Sequence, residues 1–128
     1  MIQPRRPTPP WQPWPMRRGQ LLPQVWTWQD DEGLVAITEG IEVRLRIIRP
    51  DGQVTEFLAA PEGDLRLLEQ DSPLTRGHVV FLPSLELVDS LPLYPPARYL
   101  LEARREGYSV VIIEGEIAMH PGIAETRR

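Results

Sequence analysis

The chain contains no cysteine, which excludes disulfide staples, thiolate metal ligands and a cysteine nucleophile, and leaves the redox compartment open. It also contains no lysine. All fourteen basic residues are arginine, a bias that either a GC-rich coding sequence or a demand for planar, bidentate guanidinium contacts would produce. Histidine is represented only by His78 and His120. Without cysteine these are too few for a standard structural zinc site, and neither sits in a recognisable catalytic context. The glycines are dispersed singly at turns, so no phosphate-cradling loop is present, and no acidic run has calcium-loop spacing. No apolar run approaches the roughly 20 residues of a membrane span, and the N-terminus lacks the apolar stretch of a signal peptide. These absences predict a non-enzymatic protein with no cofactor, no metal and no membrane partner.

What is present is a chain of 128 residues, enough for one core, with 41% hydrophobic and 25% charged residues. Fifteen prolines and nine glycines argue against long helices and for short strands. The formal charge of −4 is unevenly spread. Residues 1–18 hold Arg5, Arg6, Arg17 and Arg18 and no acid, whereas the remaining ten arginines face all eighteen acids, so a +4 leader precedes a −8 body.

Six of the first fifteen residues are proline, which excludes helix or central strand there and predicts a stiff, extended backbone. Trp11 and Trp14 lie in this leader, and large apolar rings demand a partner surface. Two surfaces are available: the domain's own sheet, if the leader folds back, or a neighbouring subunit, if it reaches out. Arg5, Arg6, Trp11, Trp14, Arg17 and Arg18 are therefore the candidate partner-binding residues. The acidic body would repel a polyanion, so no nucleic-acid partner is expected.

Along the body, residues 20–28 read as a first strand, with a polar turn at 29–33 and a short apolar piece at 34–37. Ile41, Val43, Leu45 and Ile47 alternate with charged residues, the clearest strand signal in the chain. Pro50-Asp51-Gly52 then turns the chain back through residues 53–59, in a register that sets Val54 near Ile47 or Ile48. A short strand is predicted near 64–68; residues 78–82 and 85–88, interrupted by Pro83, read as one bent strand or two short ones, and residues 69–77 and 89–96 read as irregular. Residues 98–105 fit helix or strand by propensity; the turn at Glu106-Gly107 and the β-branched run Val110–Ile113 select a hairpin.

Short strands with turn signals about every ten residues predict an antiparallel β-sandwich. Its core is expected to include Ile41, Val43, Leu45, Ile47, Phe57, Leu65, Leu67, Val79, Phe81, Leu100, Val111 and Ile113, with Trp26 or Trp28 capping one end. The organisation expected is an arm at 1–18, a sandwich at 19–120 and a polar tail at 121–128. Glu114 and Glu116, alternating with apolar neighbours, read as part of a solvated face.

Arg18-Gly19, Asp31-Glu32-Gly33, the alternating residues 41–47, Asp51-Gly52, the return from Thr55 to Leu58, the Tyr99–Glu102 strand, Gly107, the run 111–117 with Gly115, and Thr126-Arg127 together form a pattern. It resembles that of small immunoglobulin-like virion structural proteins of tailed bacteriophages, over roughly residues 18–127. The proline-rich leader and the 89–96 insert depart from it. The resemblance implies an immunoglobulin-like sandwich located in the virion and assembled in the host cytoplasm. Its implied role is capsid decoration or a tail or baseplate component, with other virion structural proteins and copies of itself as partners. The same sandwich could instead carry a carbohydrate- or cell-surface-binding module through its loops.

Overall fold

The computed structural model describes residues 10–122. Its elements, in order, are β1 (Trp14–Arg17), β2 (Gln24–Thr27), β3 (Gln29–Asp30), β4 (Gly33–Leu34), β5 (Glu42–Ile48), β6 (Val54–Leu58), β7 (Leu65–Leu67), β8 (His78–Phe81), α1 (Leu85–Ser90), β9 (Arg98–Arg105) and β10 (Tyr108–His120). The strands form a five-stranded sheet ordered β1-β10-β9-β5-β6, a three-stranded sheet ordered β2-β8-β7, and the small β3-β4 ribbon. The all-β class predicted from turn spacing is the class observed.

The period-two pattern of β5 directs Val43, Leu45 and Ile47 into the core and Arg44 and Arg46 to the opposite face. At its end, the Gly52 N–H closes a turn onto the Arg49 carbonyl at 2.9 Å, and the Asp51 carboxylate accepts the Gln53 N–H at 2.9 Å. The register that follows pairs Ile48 with Val54, within the range the turn chemistry predicts. β9 and β10 form the expected hairpin. One core draws on both larger sheets: Phe57 of β6 meets Phe81 of β8 at 4.8 Å, and Trp26 of β2 stacks on Tyr99 of β9 at 5.6 Å. Trp26 is thus a central core residue, not an end cap, while Trp28 packs against the core partly buried.

Several expectations need correction. Residues 85–88 are helical, because Ser84 accepts the Leu87 N–H on its Oγ at 3.1 Å and Glu86 complements the first turn, while Pro83 interrupts the extended run. Leu100 faces the outer side of the five-stranded sheet, since Tyr99, Leu101 and Ala103 are the inward residues of β9. Val111 pairs with outward Glu102, and a register shift before Ile113 restores the inward parity, so Val111 is only partly buried. Leu67 is exposed at the end of the edge strand β7, and Ile41 and Phe57 are partly buried against the core. The pairing is not wholly antiparallel either, because β1 runs parallel to β10. That strand lies inside the stretch expected to be an arm separate from the domain. Of the C-terminal tail, Pro121 and Gly122 are described and the rest lies outside the described residues.

Candidate interaction site

The leader is built into the domain from Pro10 onward. The Gln12 N–H donates to the Glu114 carbonyl at 2.9 Å, the Glu114 N–H donates to the Pro10 carbonyl at 3.0 Å, and the Arg18 N–H donates to the His120 carbonyl at 3.0 Å. Even-numbered residues therefore face β10. Pro13 and Pro15 occupy odd positions, where an N–H would point away from the sheet, so the missing donors cost the ladder nothing. Pro10 sits at an even position, and its lack of an N–H removes the next rung. Proline content excludes a central strand, as the composition predicts, yet its spacing permits this edge strand.

The same parity turns Trp14 and Met16 inward. Trp14 is 1% exposed and makes edge-on contacts with Trp26, Phe81 and Tyr99 at centroid distances of 5.0, 5.6 and 5.3 Å. Such pairs contribute about 0.5–1.5 kcal/mol each beyond the burial itself. Two further residues receive the leader. The Tyr99 hydroxyl donates to the Gln12 carbonyl at 2.7 Å, and burial pushes that phenol above its ordinary pKa. Gly115 provides clearance, since a Cβ there would collide with the Gln12 carbonyl oxygen.

The six candidate partner-binding residues consequently divide. Arg5 and Arg6 lie outside the described residues. Trp14 is a core residue of its own domain and is not available to a neighbour. Arg17 donates to the Pro121 carbonyl at 3.3 Å and Arg18 to the Leu91 carbonyl at 2.9 Å, so both fasten the end of the leader to the body. Trp11 alone keeps an outward ring: its backbone bridges to Glu114 while its side chain remains 54% exposed. Sequence reasoning missed Tyr99 and Gly115 as the receiving residues. A lone glycine inside a β-branched strand was the available signal, because such a glycine often marks the close approach of another backbone.

A second polar feature lies on the outer face of the five-stranded sheet. Glu102, 7% exposed, is approached by Arg44 Nε at 3.2 Å and Arg46 Nε at 3.5 Å, and the same arginines reach Glu56 at 3.4 and 3.1 Å. The two Nε–H groups stand close to Glu102 Oε1 without pointing at it, so that contact is Coulombic more than hydrogen-bonded. The cluster is electrically balanced, two arginines against two carboxylates. It reads as a charge-balanced network on the sheet surface.

His78 donates from Nδ1–H to the Arg76 carbonyl at 3.0 Å, and His120 ends β10 at the surface. Among the described residues, no three His, Cys, Asp or Glu side chains gather as metal ligands, and no helix is long and apolar enough to cross a membrane. Within residues 10–18, Trp11 is the ring left exposed. No protein-family model matches the chain, and no curated protein matches it significantly.

Proposed function

We propose that the chain is a non-enzymatic structural component of a tailed bacteriophage particle, an immunoglobulin-like module that docks on neighbouring subunits through its N-terminal leader. The immunoglobulin-like reading is supported by strand order. β6-β5-β9-β10 follows the C′CFG order of one immunoglobulin sheet and β2-β8-β7 the BED order of the other, with the strands in the same chain sequence. The virion reading rests on the sequence resemblance.

The observation that carries the docking role is the exposure of Trp11 on backbone held from both sides. Trp14 plugs the core three residues later, and Gln12 is fixed by Glu114 and Tyr99. A ring presented on ordered backbone loses less entropy on docking than one on a free peptide, and tryptophan is a frequent interface anchor. The basic residues Arg5 and Arg6 precede it in the sequence. Deletion of residues 1–18 would remove Trp14 as well, so the informative truncation ends at residue 9.

The test is incorporation into particles. Mass spectrometry of purified particles should detect the full-length chain at a fixed copy ratio to the major structural proteins. Trp11→Ala and the deletion of residues 1–9 should each reduce incorporation at least tenfold while the protein stays folded. Absence of the chain from particles overturns the virion reading; normal incorporation of both variants overturns the docking role of the leader.

A further inference from the structure

The five-stranded sheet ends in two edges of opposite character. At β1, Pro13 and Pro15 remove the N–H groups that would face an incoming strand, a means of closing an edge. At β6, hydrogen bonds from Arg49 N to Gln53 O at 2.8 Å and from Ala59 N to Val43 O at 2.9 Å set the parity of the ladder. Odd residues of β6 face β5, so Val54, Glu56 and Leu58 turn both N–H and C=O outward. None of these outward backbone groups has a hydrogen-bond partner among the described residues. β6 contains no proline, and Val54 and Leu58 are 50% and 54% exposed.

We propose that β6 is a strand-addition interface whose occupant is the β6 strand of a second copy of this chain, paired antiparallel about a two-fold axis at Glu56. Self-complementarity selects this occupant. With Glu56 on the axis, Val54 of each copy lies opposite Leu58 of the other, so the two exposed apolar side chains cover each other. Each of the three pairings exchanges two backbone hydrogen bonds, because all three residues have outward-facing groups. The two Glu56 carboxylates meet near the axis, and each is already held by Arg44 and Arg46 at 3.4 and 3.1 Å, which offsets their repulsion. On the inner side, Phe57 of one copy comes opposite Thr55 of the other, beside the groove that Thr55, Phe57, Leu87 and Ser90 line between β6 and α1. The result is a continuous ten-stranded sheet with its β1 edges closed by proline. This inference stands on the sheet edge alone and is independent of the virion reading.

Sedimentation velocity on the full chain, from about 1 to several hundred µM, should show a concentration-dependent dimer. A chain that stays monomeric throughout overturns the proposal. Leu58→Pro deletes an outward N–H that β5 does not use and should weaken dimerisation at least tenfold with an unchanged circular dichroism spectrum; an undiminished dimer in this folded variant points to another surface and overturns the proposal. The register has its own test. Val54→Lys and Leu58→Glu should each weaken the dimer alone, and the double variant should recover it, because the axis sets the two substituted side chains opposite one another. A double variant no stronger than either single one overturns the register. A dimer that deletion of residues 1–9 abolishes and Leu58→Pro leaves intact assigns assembly to the leader and overturns it as well.

Discussion

Trp11 and Trp14 stand three residues apart in one proline-rich stretch, and the fold uses them in opposite ways. Trp14 has even parity on a strand whose even residues face β10 and whose inward side chains fill the core; Trp11 has odd parity and stays in water. Composition treats the two rings as equivalent anchors. Backbone pairing separates them, so a segment that reads as a docking arm is hydrogen-bonded to β10 from Pro10 onward and becomes an edge strand at Trp14. A leader can thus hold its own domain together with one aromatic ring and offer the next outward, provided the two differ in strand parity.

The largest expected effect comes from breaking the inner half of this pair. Trp14→Ala removes a fully buried ring that touches Trp26, Phe81 and Tyr99. It should cost about 3–5 kcal/mol, in the range for deleting large core aromatics. Chemical denaturation of the two proteins reads this directly, and a loss below about 1 kcal/mol would show that Trp14 is not a core residue in solution. Next comes Gly115→Ala, which places a methyl group against the Gln12 carbonyl and must displace the leader or the strand. Overpacking of this kind costs about 1–3 kcal/mol. Faster hydrogen exchange at the Gln12 and Glu114 amides would localise the effect to the contact between leader and β10.

Some of this arrangement was legible in the sequence. The alternation at Val43, Leu45 and Ile47 marked β5 and its inward face, Pro50-Asp51-Gly52 set the register of β6, and Val110–Ile113 after Gly107 marked the last hairpin. These signals are local, so neighbouring residues alone determine them. The leader lacks a local signal because proline satisfies an extended chain in water and an edge strand equally well. Its alternation of Trp14 and Met16 with Pro13 and Pro15 becomes meaningful only once β10 supplies the partner. Helix α1 was missed for the converse reason: the Leu85 and Leu87 alternation mimics a strand, and the capping geometry of Ser84 decides it. The Glu102 cluster joins the β5–β6 hairpin to β9, which is distant in the chain, and no single segment advertises it.

A smaller effect sharpens the comparison at the latch between the two tryptophans. Tyr99→Phe removes the hydroxyl that donates to the Gln12 carbonyl and should cost about 1 kcal/mol, the usual net contribution of one hydrogen bond. It also changes the response to alkali. Burial raises the folded-state pKa of this phenol above 10.0, which favours the neutral form in the native state. Its contribution is therefore fully present below about pH 10 and is lost as pH rises through the higher native value. The wild-type melting temperature should fall more steeply above pH 10 than that of Tyr99→Phe. Parallel alkaline slopes would mean that the phenol titrates alike in both states.

The smallest effect on stability belongs to Trp11→Ala, and its smallness is the informative part. Trp11 contributes its backbone to the bridge with Glu114, and alanine keeps that backbone unchanged. Exposed substitutions of this kind usually change stability by no more than about 0.5 kcal/mol. The same exposed ring gives a direct optical contrast: acrylamide should quench Trp11 readily and Trp14 hardly at all, so Trp11→Ala removes an accessible component of the emission, whereas Trp14→Ala removes a protected one. If Trp11→Ala destabilised the isolated domain as much as Trp14→Ala, both rings would be structural and the parity argument would fail. Near-native stability with loss of the accessible component leaves Trp11 as an exposed ring on paired backbone that the fold itself does not need.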